Sequence, residues 1–109
     1  MRTLKFIVNN QIITKDPNCN FDGLVPGTSD YVQAEFQFSS EWNGYAKVVS
    51  FESILGKEYE PQILQDGKTC MIPEEALARR SFKMRVTGKK EKRRLTTNKI
   101  IIEQNGGRV

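Results

Sequence analysis

The sequence predicts an all-β domain of short antiparallel strands. Three observations predict it: apolar residues alternate with polar ones at period two, turn-forming pairs separate these stretches, and only one stretch has the pattern of a helical turn.

The elements follow in order. Leu4, Phe6 and Val8 form one side of an opening strand. Asn9-Asn10 reads as a tight hairpin turn leading to Ile12 and Ile13. Residues 16–30 carry Pro17, Gly23, Pro26 and Gly27 and read as a long loop, with Phe21, Leu24 and Val25 dipping into the edge of the core. Val32, Ala34, Phe36 and Phe38 then alternate with Gln33, Glu35 and Gln37, as in a strand with one buried and one wet face. Asn43-Gly44 is a turn pair, followed by expected strands at 46–51 and 58–64. Asp66-Gly67 precedes a short strand over 69–72. Pro73 to Arg80 places proline first, acids next and bases last, the order that the helix dipole favours for one or two helical turns. Phe82, Met84 and Val86 alternate with Lys83, Arg85 and Thr87, and the β-branched run Lys99 to Glu103 gives the clearest late strand. Asn105-Gly106 opens a tail, 105–109, expected to fray. These make seven or eight short strands, which fits a sandwich or a small barrel.

A chain of 109 residues suits one domain, 1–109, with a single core. Hydrophobic residues at 38% and charged residues at 28% are enough apolar content for folding, because the apolar residues are clustered. The formal charge of +4 owes much to one run, Lys89-Lys90-Glu91-Lys92-Arg93-Arg94. The apolar stretch Leu4 to Val8 is too short for a secretion signal, and no segment approaches the length of a spanning helix. The expectation is synthesis in a cytoplasm, no membrane partner, and two reduced thiols at Cys19 and Cys70.

The chemistry available is narrow. The chain has no histidine, which removes the commonest general base and metal ligand. Two distant cysteines make no zinc site, and Gly56-Lys57 lacks the rest of a phosphate loop. The acid pairs Glu58 with Glu60 and Glu74 with Glu75 read as solvated faces. A non-enzymatic protein without a cofactor is expected.

Binding candidates remain. Lys89, Lys90, Lys92, Arg93 and Arg94 read as a basic hairpin tip, either a phosphate-contacting finger or a solvated loop. Trp42 and Tyr45, around the Asn43-Gly44 turn, read as plugs of the core end or as anchors for a partner.

Three blocks in a fixed order carry a resemblance: Phe36-Gln37-Phe38-Ser39-Ser40-Glu41-Trp42-Asn43-Gly44, then Cys70-Met71-Ile72-Pro73-Glu74-Glu75, then Thr96-Thr97-Asn98 before the last strand. With them the chain resembles small phage and prophage tail-module proteins of Gram-positive hosts, similar to the first domain of baseplate upper and tail-fibre proteins. The resemblance covers most of the chain. It implies an Ig-like β-sandwich and a structural or accessory role through contacts with other tail proteins or with itself, which would place the protein in the virion. Two features depart from the pattern: the long opening loop, and a basic stretch where a short turn is expected after Gly88. No fibre segment follows, as in a stand-alone copy. These departures admit an alternative, a phage-encoded inhibitor of host defence similar to an anti-CRISPR protein. It would contact a nucleic acid, a nucleotide or an acidic protein groove through the basic run.

Overall fold

The computed structural model describes residues 1–105. Among these residues, nine strands form two sheets. The first sheet holds β1 (Arg2–Asn9), β2 (Ile12–Lys15), β3 (Val32–Phe38) and β6 (Thr69–Met71), in the order β2-β1-β3-β6. The second holds β4 (Ala46–Glu52), β5 (Gln62–Ile63), β7 (Ser81–Lys90) and β8 (Arg93–Thr96), in the order β5-β4-β7-β8, with β9 (Ile100–Glu103) also paired to β7.

The period-two alternation decides which face each strand buries. Leu4, Phe6, Val8, Val32, Ala34 and Phe36 line the inner face of the first sheet. Val49, Phe51, Phe82, Met84, Val86 and Ile102 line that of the second. Together they make one core, so the sandwich expected from the sequence is present. Each large side chain buried there contributes about 1.5–3 kcal/mol.

One pairing is not antiparallel. β1 and β3 run parallel, from Arg2 opposite Val32 to Val8 opposite Phe38. The long loop explains this. β2 returns antiparallel along one side of β1, and the loop then passes under the start of β1 to reach its other side. Arg2 ties it there: its backbone N–H donates to Tyr31 O at 2.8 Å, and its guanidinium donates to the carbonyls of Asn20 and Asp22.

Other differences are local. The first hairpin turns at Asn10-Gln11, one residue later than expected, because Asn9 pairs with Ile12 and Asn10 adopts φ 55°. Leu24 and Phe21 pack against the core, but Val25 points out. The backbone there is clipped on both sides, by Asn105 N–H to Leu24 O and by Gly27 N–H to Leu77 O. Only 62–63 of the expected 58–64 strand pairs as a strand, with an isolated bridge between Glu52 and Glu58.

The helical turn α1 spans Glu74–Leu77 and stops short of the arginines, with Pro73 as its N-cap. The buried Gln104 satisfies carbonyls at its end, its Nε2 donating to Leu77 O at 2.8 Å and Arg79 O at 2.6 Å. A second turn, 3₁₀, covers Ser40–Trp42. Of the expected frayed tail, Asn105 is held by Leu24, and 106–109 lie outside the described residues.

Candidate binding surface

The basic run forms a hairpin tip, with the flanking strands extending into it. β7 continues past Gly88 to Lys90, the chain turns at Glu91-Lys92, and β8 starts at Arg93. Lys89 faces Arg94 and Lys90 faces Arg93 across a two-stranded ribbon. Glu91 takes φ 55°, the left-handed geometry that closes a two-residue turn.

Strand alternation splits the cations between two faces. Lys90 shares a face with Gly88 and folds over Tyr45, its Nζ 5.9 Å from the ring centroid. Lys89 and Arg94 lie on the opposite, outward face, and Lys92 caps the tip. All five cationic side chains are exposed. None sits within ion-pair distance of a carboxylate among the described residues; the one ion pair there joins Lys99 Nζ to Glu52 Oε1 at 2.7 Å.

The aromatic candidates take a different role. Trp42 is fully buried and packs against Phe38 and Tyr45 at ring-centroid distances of 5.2 and 6.2 Å. Its indole N–H donates to Asn10 O at 2.7 Å. Trp42 is therefore a plug at the end of the core and offers no surface to a partner. Tyr45 is half-buried beneath Lys90.

The carboxylate pairs do not converge. Glu58, Glu60, Glu74 and Glu75 are all exposed. Among the described residues no three His, Cys, Asp or Glu side chains gather as a metal site would need. Glu52 is held below the usual carboxylate range by its contact with Lys99, with further help from the charges of Lys83 and Arg85. Both cysteines are free thiols, Cys70 buried and Cys19 half-buried. No helix among the described residues is long and apolar enough to cross a membrane.

Lys83 and Arg85, read from the sequence only as the wet side of a strand, were not among the binding candidates. They share the outward face of β7 with Lys89, and the alternation Lys83, Arg85, Thr87, Lys89 is the signal that reveals it.

The motif blocks have plain structural tasks. Phe36 and Phe38 stack at 5.8 Å, and Ser39 Oγ accepts the Asn10 N–H at 2.9 Å. Cys70 pairs with Ala34 in the register of β3 and β6. Thr97 Oγ1 accepts the buried Val86 N–H at 3.0 Å within the second sheet, and Asn98 Oδ1 accepts the Ile13 N–H at 2.8 Å, joining the second sheet to the first.

No protein-family model matches the chain, and no curated protein is significantly similar to it.

Proposed function

We propose that this chain is a non-enzymatic phage protein, a structural or accessory component of the tail or baseplate that acts through contacts with other tail proteins or with copies of itself. One observation carries the reading. The residues behind the resemblance to tail-module proteins are joints of the scaffold: Trp42 on Asn10, Thr97 on Val86, Asn98 on Ile13. A motif whose residues brace the scaffold, with Asn98 on Ile13 tying one sheet to the other, specifies a module and leaves the surface to choose the partner. β2 and β6 are the edge strands of the first sheet, and edge strands are where neighbouring chains pair.

Quantitative mass spectrometry of purified particles of the encoding phage tests this. Stoichiometric presence is the expected result. Absence from particles, with expression early in infection, would overturn it.

A second reading, an inhibitor of host defence, is favoured by one feature: the five exposed cations of the ribbon, 89–94, none of them ion-paired among the described residues. It acts by laying that ribbon on an anionic target. Charge reversal of the ribbon should then abolish inhibition while folding is kept, and inhibition that survives the reversal would remove this reading.

A further inference from the structure

The charged ribbon is the end of a longer surface. In the second sheet, Phe82, Met84, Val86 and Gly88 point into the core, so Lys83, Arg85, Thr87 and Lys89 point out. Successive outward positions on a strand stand about 6.8 Å apart. β7 is flanked by β4 on one side and by β8 and β9 on the other, so this row runs along the middle of the sheet. Arg94 faces Lys89 in register, and Thr96 faces Thr87. The face therefore carries a ridge of Lys83, Arg85, the Thr87–Thr96 pair, then Lys89 with Arg94, ending in the ribbon tip.

Acids on this face do not cancel the ridge. Glu52 faces Lys83 across β4 but is bound by Lys99 at 2.7 Å. Glu103 faces Ser81 at the far end. Five cations, Lys83, Arg85, Lys89, Arg94 and Lys99, stand against three carboxylates: these two and Glu58, which bridges to Glu52 on the same face. The two threonine hydroxyls at the centre lie 3.1 Å apart. Two hydroxyls hold two hydrogens, and their mutual bond uses one, so one donor is left for a ligand oxygen.

We propose that this outer face, together with the ribbon, binds the phosphodiester backbone of a nucleic acid without regard to sequence. Lys83, Arg85, Lys89 and Arg94 supply charge, and the Thr87–Thr96 pair donates a hydrogen bond to a phosphate oxygen. Three features favour a nucleic acid over an acidic protein. The cations lie in a line along one rigid strand, as a polymer of regularly spaced anions requires. The hydroxyl donor sits between cations, where phosphate oxygens would fall. No aromatic side chain lies on the ridge to stack bases, so contact is with the backbone. The inference deepens the second functional reading and rests on its ribbon.

The test is fluorescence anisotropy with labelled 20-nucleotide DNA of mixed sequence, single-stranded and duplex, across a range of salt. Binding should be insensitive to sequence and should weaken linearly in log salt. Removing two phosphate contacts with Lys83→Ala and Arg85→Ala should reduce the salt slope by about 1.4 on the single strand or about 1.8 on the duplex. The probe bound more tightly at equal salt identifies the form that the face holds. Thr87→Val should weaken binding while leaving the slope unchanged. An unchanged slope in the Lys83 and Arg85 variant, with binding lost on charge reversal of 89–94, would overturn the extended face and leave the ribbon reading standing. No binding to either probe at 50 mM salt, or equal displacement by poly-glutamate, would overturn the nucleic-acid assignment.

Discussion

The indole of Trp42 leaves no room for a side chain on Gly88: a Cβ there would stand 2.8 Å from Trp42 Cζ3 and 3.2 Å from Tyr45 Cβ. Gly88 is thus the point where the central strand of one sheet touches the plug at the end of the core. Its glycine is required by contact, because its φ is not among the positive ones. Gly88→Ala should destabilise the fold by about 1–3 kcal/mol, the usual cost of overpacking a filled core. Urea denaturation followed by emission of the single tryptophan measures this. A variant as stable as the parent would mean that the indole can move away.

Thr97 provides a second joint. Its Oγ1 accepts the Val86 N–H, and its own N–H donates to Val86 O, so side chain and backbone complete the pairing that β8 and β9 leave open beside β7. Thr97→Val keeps the shape and removes the acceptor, which strands a buried N–H. The expected loss is about 1–3 kcal/mol. Thr97→Ser keeps the hydroxyl and should lose less. A Val variant as stable as the parent would show that the Val86 N–H does not depend on this hydroxyl.

Much of this scaffold was legible in the sequence, because burial on one face of a strand writes itself as period two. Val32 to Phe38 and Phe82 to Val86 are strands with the expected face inward. What stayed hidden depended on partners distant in the chain. The parallel pairing of β1 and β3 follows from Arg2 holding a loop some twenty residues away, and nothing local encodes it. The basic run was legible as a hairpin tip, but not how far it is strand, since six charged residues carry no apolar alternation and only cross-strand pairing extends β7 and β8 through them. Trp42 was legible as a core plug from its place after Phe38, but its bond to Asn10 was not. The outward row of Lys83 and Arg85 was readable from the same alternation that revealed the core, on the face that a search for the core passes over.

Asp66 sets a pH-dependent feature. Its Oδ1 accepts the N–H groups of Lys68 and Thr69 at 2.9 and 2.7 Å, and its Oδ2 accepts the Thr69 hydroxyl. These bonds, the Thr69 hydroxyl foremost, bring the carboxyl down from 3.8 to about 2. A folded value below the unfolded one means that the stabilisation is complete above pH 3.8 and is lost as pH falls through about 2. NMR titration of the Asp66 carboxyl carbon should give a midpoint about 2. A midpoint close to 3.8 would show that the turn before β6 is not closed in solution.

The two thiols should separate in reactivity. Burial pushes the Cys70 thiol up to about 12, with the Asp66 charge adding to it. Its thiolate is then roughly one part in ten thousand at pH 8, and only the thiolate attacks a disulfide reagent. Cys19 is half-buried in the opening loop, with its Sγ accepting the Lys5 N–H at 3.3 Å. An aromatic disulfide reagent should therefore take up one equivalent from the native protein and a second only in denaturant. Cys19→Ser should remove the native equivalent and leave the other. Two equivalents at similar rates from the native protein would mean that β6, the edge strand carrying Cys70, opens readily from β3.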